Sequence, residues 1–159
     1  MAKAKNKKDK VELTSYSKNK KAFHDYEILE KFEAGIVLFG DEVKSIKSGQ
    51  VNLKGSFVDI MKEEAFINNV HISPYKQSSR TDLSPTRKRK LILHKREIFK
   101  IDQVVSQKGV TTIPLEFYAK KGLIKVQIGL CRGKKLYDKR ESLKKHDQEI
   151  EIKRHLKNF

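Results

Sequence analysis

Between residues 115 and 130 the chain alternates apolar and polar side chains on both sides of a short break, and that pattern leaves few folds open. Leu115, Phe117 and Ala119 interleave with Glu116, Tyr118 and Lys120. Val126, Ile128 and Leu130 interleave with Lys125, Gln127 and Gly129. A period of two puts each set on one face of a strand. Lys120-Lys121-Gly122, between the two runs, reads as a hairpin turn.

The rest of the middle of the chain also reads as mostly β. Phe66, Asn68, Val70 and Ile72 form another alternating set, and residues 26–32, 35–38 and 57–61 are shorter candidates. Residues 89–94, with Leu91, Ile92 and Leu93, fit strand or helix by pattern alone. Two helices interrupt the strands. Asp41 is placed to cap one over 42–48, with Val43 and Ile46 facing inward and Gly49 as its stop. A second runs from about 95 to 108, because Ile98, Ile101 and Val105 share a face and Gly109 follows. Residues 73–88, rich in Ser, Thr, Pro and Arg, are expected to be a mobile loop. Short strands with an inserted helix, over about 110 residues, suit a small, partly closed β-barrel of the OB type, which recurs in RNA binding. An open α+β sheet explains the same pattern.

Charge divides the chain differently. Its 159 residues suffice for one ordinary domain, with 36 Lys and Arg against 20 acids and a formal net charge of +16. Residues 1–21 hold eight Lys and two acids, and residues 134–159 hold nine Lys or Arg and five acids. Such a chain repels itself unless it meets a polyanion, either nucleic acid or an acidic membrane surface. No apolar run approaches the roughly 18 residues that span a bilayer. The basic start lacks the apolar core of a signal peptide. Cys131 is the only cysteine, so an intramolecular disulfide and a cysteine-based zinc cluster are excluded. The expectation is a cytoplasmic monomer with no membrane, metal or cofactor, whose partner is nucleic acid.

The tail, 134–159, is basic and has fair helix propensity. Leu136, Leu143 and Ile150 share one face, while Ile152, Leu156 and Phe159 point to the opposite side at 100° per residue. No continuous apolar stripe results, so this helix has no face to bury against its own domain. It is expected to be disordered when free and helical against a polyanionic wall.

Seven blocks, in order, resemble the small protein B (SmpB) family. They are Asn19-Lys20-Lys21-Ala22-Phe23-His24-Asp25-Tyr26; Phe32-Glu33-Ala34-Gly35-Ile36-Val37-Leu38; Gly40-Asp41-Glu42-Val43-Lys44-Ser45-Ile46; Val51-Asn52-Leu53-Lys54; His71-Ile72-Ser73-Pro74-Tyr75; Arg89-Lys90-Leu91-Ile92-Leu93-His94-Lys95-Arg96-Glu97; and Ile128-Gly129-Leu130 leading into Gly133-Lys134-Lys135-Leu136-Tyr137-Asp138-Lys139-Arg140. The resemblance spans about residues 19–157. It implies a flexible basic leader over 1–18, an OB-like RNA-binding barrel over 19–133, and a basic tail over 134–159. The implied role is to bind the tRNA-like domain of transfer-messenger RNA and deliver it to stalled ribosomes. The tail would occupy the empty mRNA channel and decoding centre so that trans-translation can start. Elongation factor Tu would be an indirect partner, through the charged RNA.

Site residues follow from the same resemblance. Glu33 is to accept hydrogen bonds from base amino groups or 2′-hydroxyls, or to orient a neighbouring Lys. Lys20, Lys21, Lys44, Lys90, Lys125, Lys134 and Lys135 are to meet phosphate, and Arg89 is to join them on the RNA side. Asn19, His24, Asn52 and His94 offer hydrogen bonds to sugar or base, and Ile92 an apolar contact for an unstacked base. Gly35 and Gly129 are to allow close backbone approach. Tyr137, Asp138, Lys139 and Arg140 are assigned to the decoding centre, with Tyr137 supplying an aromatic plane and Arg140 a fork for phosphate. Some family members carry His in place of Tyr137. Lys144, Lys145, Lys153 and Arg154 are assigned to the mRNA channel.

Two other classes compete. A structural ribosomal protein with basic extensions would be present on every ribosome, whereas a rescue factor would be substoichiometric. An RNA-cleaving or RNA-modifying enzyme would need an acid–base group such as His24 beside Asp25. No signature spacing, phosphate loop or paired-carboxylate motif supports it.

Overall fold

The computed structural model describes residues 13–79, 82–107, 109–134 and 136–157, without the side chains of 136–139. Its elements run β1 (Thr14–Lys18), α1 (Lys20–Asp25), β2 (Tyr26–Ile36), α2 (Gly40–Lys47), β3 (Val51–Asn52), β4 (Phe57–Met61), β5 (Glu64–Asn68), β6 (His71–Ile72), β7 (Arg89–Ile92), α3 (Lys95–Val105), β8 (Val110–Lys120), β9 (Leu123–Gly133) and α4 (Leu136–Lys157).

The expected hairpin is the spine of the molecule. β8 and β9 pair from Val110↔Arg132 to Lys120↔Leu123. The two turn residues, Lys121 and Gly122, have φ of 50° and 76°. Positive φ at both positions is the type I′ arrangement that matches the twist of the flanking strands, and glycine adopts it without a Cβ penalty. Around the hairpin a seven-stranded sheet forms in the order β1-β8-β9-β2-β7-β5-β4, and β3 and β6 make a separate two-stranded ribbon. All pairings are antiparallel. The sheet curls until β4 lies against β8. No ladder of the described residues joins its outer strands, so the mainly β, partly closed form is present but the barrel is not sealed.

The main core fills the inside of that curl. Phe32, Ala34, Val58, Ala65, Ile67, Leu91, Phe117, Val126, Ile128 and Leu130 come from strands, and Ile46 and Ile101 from α2 and α3. Burying each Leu, Ile or Phe stabilises the fold by about 1.5–3 kcal/mol. A smaller cluster of Ala22, Ile113, Leu115 and Cys131 seats α1 on the sheet. A bulge between Pro114 and Glu116 separates the two clusters. It turns Leu115 to the face opposite Phe117, and Pro114, which has no N–H to donate, sits where the ladder is already interrupted.

Several expectations are corrected. Residues 14–18 are not leader but a strand paired with β8; the rest of the leader, 1–12, lies outside the described residues. Residues 19–25, ahead of β2, are a cap and a short helix. Residues 26–38 hold one long strand rather than two, with a bulge between Ile28 and Glu30. The alternation from Phe66 to Ile72 breaks at Asn69, whose φ of 60° shifts the phase, so that Ala65 and Ile67 are buried in β5 but Val70 and Ile72 beyond it. Asp41 does not cap α2. Phe39 is the N-cap, and its backbone N–H donates to the Glu42 carboxylate at 3.2 Å. Cys131 is fully buried.

Residues 136–157 form a single continuous helix, α4. Its described side chains are exposed, apart from the half-buried Ser142, as the missing apolar stripe requires. Contact with the domain is confined to its first turns. Ser142, Leu143 and His146 line a cleft with Lys20, Phe23 and His24 of α1. The Lys134 ammonium donates to the Phe23 carbonyl at 3.3 Å and to Ser142 Oγ at 3.0 Å.

Candidate nucleic-acid interface

The outer face of the sheet carries a row that runs across four strands. Tyr118 of β8 pairs with Lys125 of β9, Lys125 with Gly35 of β2, and Gly35 with Ile92 of β7. Directly paired residues point to the same side. The adjacent row, Phe117, Val126 and Ala34, points into the core, so this one faces outward. Ile92 is 60% exposed despite being aliphatic. It leans over Gly35, where an added Cβ would meet Ile92 Cβ at 3.2 Å. Around this point Gly35, Ile36, Leu38, Val43, Leu123 and Ile124 line a shallow depression of about 290 Å³. A flat apolar floor beside a Lys suits a nucleobase attached to a phosphate.

Glu33 stands one pair away, opposite Gln127. Its carboxylate accepts from the Tyr118 hydroxyl, and Lys120 Nζ lies 3.2 Å from both of its oxygens. The Tyr118 hydrogen bond, followed by Lys120 and the field of Lys125, holds its carboxyl below the usual range. Burial and the Glu33 carboxylate push the Tyr118 hydroxyl well above the ordinary tyrosine range, so it remains a donor. Lys90, exposed on the same side of β7, pairs with Glu64 at 2.7 Å. His94 follows at the N-cap of α3, where its backbone N–H donates to Glu97 at 3.0 Å.

Thus Glu33, Gly35, Lys90, Ile92, His94 and Lys125, all expected on the interface, come together. Lys20, Lys21 and His24 form a second group on α1, near Lys134 and the start of α4. His24 Nδ1 lies 2.8 Å from Asp25 Oδ1. A third pair flanks the β3–β6 ribbon: Lys44 lies over the Tyr75 ring at 5.2 Å, and Asn52 in β3 holds the backbone N–H of Lys54 at 2.9 Å.

Three expected contacts are inside the protein. Asn19 is buried; its side chain accepts from the Ala22 N–H at 3.1 Å and donates to the Leu53 and Pro114 carbonyls. It caps α1 and ties it to β8. Arg89 is 1% exposed and spends its donors on Glu42 and on the Val70, Arg87 and Pro85 carbonyls. Gly129 is covered as well, since a Cβ there would come within 2.8 Å of Leu115 Cδ1. Lys135 lies outside the described residues, as do the side chains of Tyr137, Asp138 and Lys139, whose backbone begins α4. Arg140, Lys144, Lys145, Lys153 and Arg154 are exposed along that helix.

Tyr118 and Lys120 were not among the expected site residues. The signal was present, since both lie on the polar side of the alternation that ends at the hairpin.

Fold and surface together define a class: a small, curled β-sheet protein with an acid–cation–aliphatic row on its outer face and a solvated basic helix at its end. A family model described as SmpB protein matches residues 16–158, and the chain belongs to that family. It is 52% identical to the SsrA-binding protein of Lacticaseibacillus casei over 89% of this chain and 90% of the relative. It is 48% identical to the SsrA-binding protein of Caldicellulosiruptor saccharolyticus over 98% and 97%. A solved structure reported as "tmRNA-SmpB: a journey to the center of the bacterial ribosome" matches with a TM-score of 0.65 and 47% identity, over 76% of this chain and 85% of that one. Among the described residues no helix is long and apolar enough to cross a membrane.

Proposed function

We propose that this protein binds the tRNA-like domain of transfer-messenger RNA through the outer row of its sheet and carries that RNA to stalled bacterial ribosomes. The observation that carries the reading is the row itself, Tyr118–Lys125–Gly35–Ile92 with Glu33 beside it, in a chain of this family. Ile92 and the Gly35 floor take an unstacked base, Lys125 takes phosphate, and Glu33 takes an amino or 2′-hydroxyl donor. The protein acts as a cytoplasmic binding and positioning factor, not a catalyst, and elongation factor Tu reaches it only through the aminoacylated RNA.

The exposed cations of α4 serve the ribosome rather than this RNA. Lys144, Lys145, Lys153 and Arg154 line the empty mRNA channel and replace counterions of ribosomal RNA. The segment 137–140 lies at the decoding centre. A helix with every described side chain exposed but one buries little against the domain, which supports a role for it in a partner.

The test is recovery of the protein from bacterial lysate with sequencing of bound RNA, followed by tagging assays with a chain truncated after Gly133. Transfer-messenger RNA should be the enriched species. The truncate should bind it within a few-fold of the full chain yet support no tagging. Enrichment of bulk ribosomal RNA alone, or a hundredfold loss of affinity in the truncate, overturns the proposal.

A further inference from the structure

The geometry points to Tyr118 as a positioning residue of the RNA interface: its hydroxyl crosses strand β9 to fix the Glu33 carboxylate as an acceptor for a nucleotide N–H or O–H donor. The inference rests on the reading of this face as the RNA-binding surface and adds to it the element that sets its chemistry.

Tyr118 and Glu33 are not neighbours in the sheet. Tyr118 pairs with Lys125, Glu33 pairs with Gln127, and β9 runs between their strands. The tyrosine ring therefore lies across β9, and its hydroxyl donates to Glu33 Oε2 at 2.5 Å. Lys120 Nζ approaches the same carboxylate at 3.2 Å from the hairpin end. Tyr118 as a residue is nearly buried, at 7%, while the Glu33 side chain is 40% exposed. A rigid group thus holds an exposed one.

The consequence is chemical. A carboxylate offers about four lone-pair directions, and Tyr118 and Lys120 occupy only part of them. What remains toward solvent is an ionised, oriented group that accepts hydrogen bonds and donates none. It selects a base amino group or a 2′-hydroxyl and repels phosphate, while Lys120 and Lys125 draw phosphate to either side. Without the hydroxyl, Glu33 is free to turn fully onto Lys120 and to lose its aim. The charged or titratable groups facing Glu33 are Glu116, Tyr118 and Lys120 of β8, Lys125 of β9, Lys31 of its own strand and His94, which continues the β2–β7 register opposite it. Of these, the Tyr118 hydrogen bond does most to keep the Glu33 carboxyl below its ordinary range.

The experiment uses the full chain and a transcript of the tRNA-like domain, with affinities measured between pH 4.5 and 7.5. Tyr118→Phe keeps the ring and removes the hydroxyl. It should weaken binding about tenfold at neutral pH, the scale of one oriented hydrogen bond to a charged group. Its acid-side loss of binding should begin at higher pH than in wild type, because Glu33 then protonates earlier. Glu33→Gln should lose affinity and lack that acid limb, and Tyr118→Phe added to it should cost nothing more. Glu33→Asp, at an exposed position that leaves folding untouched, shortens the carboxylate out of reach of Tyr118 and should match Tyr118→Phe in affinity at neutral pH. Additive losses in the double variant, or wild-type affinity and pH profile in Tyr118→Phe, overturn the inference. So does wild-type affinity in Glu33→Asp, should Tyr118→Phe fail to fold. If Glu33→Gln binds as wild type, Glu33 is not the contact and the inference falls while RNA binding stands. If the wild-type chain does not bind the transcript, it is the proposed function that fails.

Discussion

Arg89 of β7 and Glu42 of α2, 47 residues apart in sequence, form a buried ion pair in which Arg89 Nε donates to Glu42 Oε2. The two are 1% and 6% exposed. Around them Arg89 also donates to the carbonyls of Val70 at 2.9 Å and Pro85 at 3.0 Å. Arg87 reaches the other Glu42 oxygen, and the Phe39 N–H donates to that oxygen at 3.2 Å. Burial pulls the Arg89 guanidinium down from its usual range, and the Glu42 carboxylate acts against that. One arginine thus joins α2, the end of the 73–88 loop and the β5–β6 connection.

Removing one partner leaves the other charge buried and under-compensated. Arg89→Met should destabilise the chain by about 3–5 kcal/mol. Urea unfolding measures this, and a loss below about 1 kcal/mol would show that the pair is not the clamp described.

Thr112 is fully buried in β8, and among the described residues its hydroxyl has no hydrogen-bond partner. Thr112→Val keeps the shape and removes the uncompensated group. It should stabilise the domain by about 1 kcal/mol. A loss of stability would mean that the hydroxyl is satisfied in solution.

Cys131 is wholly enclosed beside Leu115 and Ala22, and burial pushes its thiol up to about 11. The native thiol therefore stays protonated where an unfolded cysteine, with a pKa of about 8.5, ionises. The folded pKa is raised, so this group's contribution to stability is fully present below the unfolded value. It is lost as pH rises through roughly 8.5–11. Alkylation at pH 8 should be slow in buffer and should accelerate with urea in step with global unfolding. Fast labelling of native protein would contradict the enclosure.

Because α4 buries almost nothing, truncation after Gly133 should remove helical circular dichroism. The urea stability of the β-domain should change by less than about 0.5 kcal/mol, the range for surface changes. A larger loss would mean that the contact with Phe23 and His24 supports the fold.

On the proposed role of residues 137–140 in decoding, Tyr137→Ala should reduce tagging of stalled products far more than Tyr137→His, since a flat ring is what stacks. Equal damage from both changes would remove stacking from the account.

Local pattern was enough for much of this molecule. The alternation at 115–130 specified the hairpin, and the 3.6-residue spacing of Ile98, Ile101 and Val105 specified α3. The absence of an apolar stripe after Gly133 specified a tail with nothing to bury against its own domain. These are properties of neighbouring residues, and a strand or helix period expresses them directly. What the tertiary structure alone decided depends on residues far apart in sequence. Two bulges and the left-handed Asn69 changed which side of a strand faces inward, and no period records a single inserted residue. Asn19, Arg89 and Gly129, which resemblance placed against RNA, proved to be interior because their partners lie on other elements. Tyr118 gained its place beside Glu33 only when β8, β9 and β2 were laid side by side, because a hydrogen bond across an intervening strand leaves no spacing in the chain.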